Sequence, residues 1–229
     1  MAYTKRLDGR KFDEMREIEG KVGVVKNADG SAMFKFGDTV AIAAVYGPKD
    51  LYPRFMQNPK KGKLRCYYDM ISFSVNERKR PGPDRRSNEI GLVTEKSLTP
   101  VLSLENYPNA VVDVFVQIVQ ANAGTRCAGI CAASLALADA GLDMKDLVCA
   151  VSAGVVDGKV LIDIDKYEED VEGMTDIPIA ILPRTGEVSL LQLDGKVNRE
   201  ELKEALELVK KVSKKIHNAQ KKALQEKFK

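Results

Sequence analysis

Short apolar runs with strand-like periodicity open the chain. Glu17–Val25 and Ser31–Phe36 read as β-strands joined by Asn27-Ala28-Asp29-Gly30, a turn sequence because Asn, Asp and Gly tolerate the reversed backbone. Val40–Tyr46 follows Gly37-Asp38 and completes an antiparallel meander. Residues 47–64 lose periodicity and gain Pro48, Pro53, Pro59 and Gly62, which predicts a long exposed loop. Arg65–Val75 returns to strand character, and Glu77–Asp84, with Pro81-Gly82-Pro83, is a second loop.

The pattern then alternates between helix and strand. Ser87 or Asn88 is placed to cap a helix reaching about Ser103, with Ile90, Val93, Leu98 and Leu102 as its apolar stripe. Ala110–Val119 is a strand, and Gly124–Ala140 a helix closed by Gly141. Leu147–Val156 turns at Asp157-Gly158 into Lys159–Ile164, the pair favoured in a tight hairpin. Ile177–Leu182 and Glu187–Leu193 are the last strands. Asn198 with Glu201 caps a C-terminal helix carrying Leu202, Leu206, Val209, Val212, Ile216 and Ala219; its many lysines read as a solvated face. The expected class is α+β, mixed β-sheets packed with α-helices and ending in a C-terminal helix, as one domain over residues 1–229.

Composition adds limits. The 229 residues are 44% hydrophobic and 30% charged, with a net charge of +3, enough for a sizeable core and neutral on nucleic acid, which depends on clustering. No apolar run approaches the ~20 residues of a membrane span, and the first residues lack the apolar stretch of a signal peptide; a cytoplasmic location is expected. Cys127 and Cys131 lie four apart and would share a helix face. A zinc site needs about four ligands, and the single histidine, His217, is remote, so these cysteines read as buried, reduced thiols.

Three clusters could carry chemistry. Gly124-Thr125-Arg126 follows a strand and opens a helix; free N–H groups there form an anion site, with the Thr125 hydroxyl and the Arg126 fork as further donors. A plain strand-to-helix turn is the competing reading. Arg85-Arg86, with Arg78, Lys79 and Arg80 upstream, is either a solvated loop or a convergent basic site. The run Asp163 to Asp176 holds seven carboxylates and one lysine, a repulsion that Mg²⁺ or Mn²⁺ would relieve. Asp176 stands directly before an apolar run, which fixes it better than a loop would. Together these groups hold an anion, and bind a metal or move a proton, as attack of one phosphate on another requires.

Taken in order, Leu7-Asp8-Gly9-Arg10, Gly37-Asp38-Thr39, Pro83-Asp84-Arg85-Arg86-Ser87, Asp113-Val114-Phe115-Val116, Gly124-Thr125-Arg126, Ala132 to Gly141 and Thr175-Asp176-Ile177-Pro178 resemble the RNase PH family over nearly the whole chain. The likeness is greatest to the catalytic RNase PH-type subunits of archaeal exosomes. It implies the RNase PH-like fold and phosphate-dependent 3′→5′ degradation of single-stranded RNA to nucleoside diphosphates, with inorganic phosphate as co-substrate and 3′ tailing in reverse. Gly124, Thr125, Arg126 and Arg86 match the phosphate site, and Arg85 and Arg86 the RNA-binding arginine pair. Asp170 and Asp176 match the two acidic positions, catalytic or ligating Mg²⁺ or Mn²⁺. Arg65 and Tyr68 match the region that grips incoming RNA. The implied partners are an inactive RNase PH-like subunit alternating in a hexameric ring and RNA-binding cap subunits. A homohexameric RNase PH trimming tRNA 3′ ends and an inactive RNA-binding scaffold are the alternatives. Ser87-Asn88-Glu89 departs from the usual bacterial pattern after the arginine pair.

Overall fold

The structure, a computed structural model, describes residues 3–77 and 79–227; Arg78 of the basic cluster lies outside them. Among the described residues nine strands form two sheets. In the first, β1 (Ile18–Val22), β2 (Gly30–Phe36), β3 (Thr39–Asp50), β4 (Lys63–Met70) and β5 (Ala110–Gln120) take the order β1-β2-β3-β5-β4. All pairs there are antiparallel except β4 with β5. The second contains β6 (Cys149–Val156), β7 (Lys159–Ile162), β8 (Thr175–Ile181) and β9 (Val188–Leu191), antiparallel in the order β7-β6-β8-β9. The α+β expectation therefore holds, and each sheet has helices against it.

Helix α2 (Thr125–Asp139) is the centre of the molecule. It packs on β2, β3 and β5 of one sheet and on β6 and β8 of the other. Every residue from Cys127 to Leu137 is buried, which explains the alanine-rich sequence: a helix covered all round leaves room for small side chains only. Gly30 of β2 passes so close that a Cβ there would lie 2.3 Å from the Ala140 nitrogen. Burial pushes the Cys131 thiol up to about 12 and raises Cys127 as well, so both are inert thiols as expected. Helix α1 (Arg85–Leu98) covers β4, and α4 (Arg199–Glu226) lies across β1, β6 and β7. The capping box of α4 forms as expected between Asn198 and Glu201.

Several boundaries differ from expectation, each for a local reason. Helix α1 is capped by Asp84, whose carboxylate accepts the Ser87 N–H at 2.6 Å. Ser87 is buried and turned toward Asp69, so it caps nothing, and Arg85 and Arg86 become the first helical turn. The helix stops at Leu98 because Pro100 cannot continue it. Strand β3 continues to Asp50 through a bulge between Tyr46 and Lys49, shortening the predicted loop, and β4 ends at Met70 instead of running to Val75. The acidic run contains an unforeseen helical turn, α3 (Lys166–Glu169), capped reciprocally by Asp165 and Glu168.

Candidate functional site

The C-terminal end of β5, the start of α2, the start of α1 and the β6–β8 pair meet around a cavity of about 350 Å³. One wall is cationic. Arg86, from the first turn of α1, shares it with Lys79, Gly124, Thr125 and Arg126. Gly124, the N-cap of α2, has φ +63°, and no side chain caps the helix. The N–H groups of the first α2 turn are therefore left for an anion, in the concave arrangement that a left-handed residue followed by helical ones creates. Arg126 donates through Nη1 to the Gln192 carboxamide oxygen, and Gln192 donates in turn to Glu89 of α1 at 3.3 Å.

The opposite wall is acidic. Asp176 lies within β8, one residue after its start, paired across the sheet with Gly154 of β6. Its Oδ1 accepts a hydrogen bond from the Ser152 hydroxyl, and Glu169 and Lys166 of α3 line the same cavity. Burial lifts the Asp176 carboxyl above its ordinary value. The Ser152 hydroxyl opposes this shift, and the charge of Glu169 adds to it. A carboxyl so placed holds its proton longer than an exposed one and can give it up to a developing alkoxide.

Of the residues singled out in the sequence, Gly124, Thr125, Arg126, Arg86 and Asp176 are brought together here. Asp170 is not: it lines a neighbouring cavity, and its carboxylate is held by Lys166 Nζ at 2.7 Å. Arg85 is exposed beside Arg86 but does not line the cavity. Lys79 of the basic cluster and Lys166 and Glu169 of the acidic run also line it, and Ser152, outside every cluster marked in the sequence, completes the site.

The profile of the 3′ exoribonuclease family, RNase PH, domain 1, matches residues 14–143, and that of its domain 2 matches residues 146–212. The chain belongs to the RNase PH family of 3′ exoribonucleases. It is a phosphorolytic 3′→5′ exoribonuclease. The chain is 51% identical to "Exosome complex component Rrp41" of Methanopyrus kandleri, covering 97% of this chain and 93% of that protein. It is 51% identical to the Rrp41 of Pyrococcus furiosus, over 98% and 89% respectively. Rice Rrp46, a crystal structure, superposes with a TM-score of 0.84 at 25% identity, covering 94% of this chain and 98% of that one.

Two further RNase PH expectations come out altered. Arg65 and Tyr68, three apart on β4, point to opposite faces, as strand alternation demands. Arg65 grips Asp113 with two hydrogen bonds of 2.6 and 2.8 Å, and Lys49 reaches the same carboxylate at 2.8 Å. Burial alone would raise the Asp113 carboxyl, but these two cations hold it below its ordinary value. Tyr68 is buried at 4% exposure. Burial pushes its phenol up to about 12 against the opposing pull of Thr125, Arg86 and Arg126, so it stands behind the cationic wall, shielded from solvent. The exposed aromatic beside Arg65 is Tyr67, stacked on Phe115 at 4.9 Å.

As for a metal, among the described residues no group of three or more His, Cys, Asp or Glu side chains is arranged to hold one unaided. Mg²⁺ typically takes one or two carboxylates and completes its shell with water and phosphate oxygens. Asp176 and Glu169, lining one cavity with Arg86, Lys79 and Arg126, fit that mode. Asp170 would join only by releasing Lys166.

Proposed function

We propose that this chain is the catalytic RNase PH-type subunit of an archaeal-type exosome. In this reading it binds the 3′ end of single-stranded RNA and cleaves it with inorganic phosphate. The observation that carries the reading is the uncapped start of α2, with Arg86 and Arg126, facing a part-buried Asp176 across one cavity. A water-using nuclease has no need of a second anion site; a phosphorolytic one must hold two phosphates against their repulsion.

In the proposed reaction, Arg86, Arg126, Thr125 and the α2 N–H groups hold inorganic phosphate. One of its oxygens forms a bond to the phosphorus of the last linkage, and the bond from that phosphorus to the 3′-oxygen of the penultimate nucleotide breaks. The 3′-oxygen takes the proton of Asp176, which solvent restores between turnovers. The products are a nucleoside diphosphate and an RNA one residue shorter with a free 3′-hydroxyl. Run backward, the same steps add a 3′ tail. In the alternative in which Asp176 is ionised, it would hold Mg²⁺ or Mn²⁺ with Glu169 or Asp170, the metal would supply charge neutralisation between the two phosphates, and the 3′-oxygen would take its proton from water. Without the metal, Asp170 serves by fixing the Lys166 ammonium beside the cavity. Arg85 binds the RNA backbone outside the cavity, and Arg65 contacts RNA farther from the 3′ end.

The relatives' name, exosome complex component, supports assembly with other subunits; in this reading those are an inactive RNase PH-like partner alternating in a ring and RNA-binding caps. Among the described residues no helix is long and apolar enough to cross a membrane, in keeping with a cytoplasmic place. The two matched family domains would fold as one unit, because a single core cluster draws residues from both. The test is to incubate the chain, with and without a ring partner, with single-stranded RNA, Mg²⁺ and phosphate. Nucleoside diphosphates formed only with phosphate support the reading; monophosphates released at full rate in phosphate-free buffer refute it.

A further inference from the structure

The turn that presents the first α2 N–H groups is strained. Ala123 has φ +54° and Gly124 φ +63°, and a left-handed alanine persists only where its surroundings over-determine it. Two side chains outside the cavity do so. Thr39, fully buried at the start of β3, has its hydroxyl 2.9 Å from the Asn122 carbonyl and 2.7 Å from the Ala123 carbonyl. The same oxygen accepts the Asn122 N–H at 3.0 Å. Arg16 donates through Nη1 to the Asn122 carbonyl. Its Nε and Nη2 grip the Asp163 carboxylate at 3.0 and 2.7 Å, and its backbone N–H reaches the same carboxylate at 2.8 Å.

The far ends of this network lie on the acidic wall. Asp163 donates its N–H to the Ser152 carbonyl at 2.7 Å, and the Ser152 hydroxyl holds Asp176. The Asn122 side chain accepts the N–H of Lys166, the first residue of α3, at 3.1 Å. One brace therefore spans both walls, while Arg16, Thr39 and Asp163 themselves stay out of the cavity.

We propose that Arg16 and Thr39 are positioning residues that hold the Asn122–Gly124 turn in its phosphate-binding conformation. The proposal rests on the reading of that turn as the phosphate site. Neither residue touches phosphate or RNA. Each fixes a carbonyl whose rotation would carry the neighbouring N–H groups away from the anion. Small misplacements of such donors are costly, because an anion site works by convergence.

The test uses the chain assembled with its ring partner. Thr39→Val keeps shape and removes the hydroxyl; Arg16→Lys keeps charge and removes the fork; Thr39→Ser restores the hydroxyl. The KM for phosphate at saturating RNA and the KM for RNA at saturating phosphate are measured for each. The expected result is a rise of about tenfold in phosphate KM for Thr39→Val and Arg16→Lys. RNA KM should stay within about twofold, and Thr39→Ser should lie near the parent. Should one of the two variants fail to assemble, the other decides. An unchanged phosphate KM, or equal rises in both constants, overturns the brace. Arg126→Ala is run in parallel to separate the two ideas. If it too leaves phosphate KM unchanged, the phosphate site is misplaced; if it alone raises phosphate KM, only the brace is wrong.

Discussion

The acidic run from Asp163 to Asp176 divides into two halves that differ in burial and, where a carboxylate is withdrawn from water in each, in its partners. In the first half, Glu168 is fully buried against Arg6, with both carboxylate oxygens accepting at 2.7 Å, and Asp163 is clasped by Arg16. Burial alone would raise Glu168, yet Arg6 and the Asp165 N–H hold it below its ordinary value. In the second half, Asp176 has one hydroxyl and the more distant charge of Arg126 to set against burial and Glu169, and it is raised. The difference shows what separates a structural carboxylate from a chemical one: a guanidinium fork in contact neutralises the first, and its absence leaves the second poised to hold a proton.

Breaking the first half should have the largest effect. Glu168→Ala leaves the Arg6 guanidinium buried without its anion, and the expected loss is about 3–5 kcal/mol of folding stability, read by denaturant unfolding of the chain. A loss below about 1 kcal/mol would mean the pair is structurally idle. Since the Glu168 carboxyl is lowered from 4.5, its contribution is present above that pH and fades as pH falls through the depressed value.

Asp176→Asn should have the opposite character. Turnover falls by at least about two orders of magnitude while the fold survives. The raised carboxyl favours folding at acid pH and loses that benefit as pH rises through its folded value. The Asn variant should therefore gain in stability relative to the parent between acid and neutral pH, measured as the difference in Tm. Near-normal turnover in the assembled ring would remove Asp176 from the chemistry.

Ser152→Ala sharpens the contrast further. The hydroxyl stabilises the ionised carboxylate, so its loss should raise the Asp176 carboxyl still more. If protonated Asp176 is the donor, the alkaline limb of the kcat profile moves to higher pH, and a limb that moves down or stays in place rules the donor role out. The smallest effect belongs to Arg65→Ala. Lys49 still neutralises Asp113, so stability should change little. Binding of long RNA should weaken a few-fold, with a salt slope shallower by about 1, and very short RNA should be unaffected; an equal effect on all lengths would put Arg65 inside the active cavity.

Much of this arrangement was readable in the residues, and the failures have common causes. Local signals succeeded where the governing partner is near in sequence: the Asn198–Glu201 box, the Asp157-Gly158 turn and the Gly124 start of α2 all form. Asp176 was marked by its place against an apolar strand. The failures need distant partners. Ser152 became part of the site only through the β6–β8 register, which no local pattern encodes. Tyr68 was grouped with Arg65 by the family resemblance, although the two-residue period of a strand already separates them. The turn α3 was hidden by its charge density, although Asp165 and Glu168 have the spacing of a capping box. Asp170 and Asp176 share the run but not the cavity, because that short helix turns Asp170 toward Lys166.

Helix α2 has a consequence for how such chains can be recombined. Its two flanks are moulded to different sheets, and Gly30 lets one of them come within a Cβ's width of its backbone. The boundary between the two matched family domains falls at residues 143–146, just beyond this helix. Joining the first segment of one homologue to the second segment of another at that point would graft a foreign sheet onto an alanine surface cut for a different one. Such hybrids should work only when the donor of β6 and β8 carries side chains of matching volume. Moving α2 along with the second sheet would only shift the mismatch to β2 and β3, where Gly30 meets its backbone, so neither cut separates the two segments cleanly.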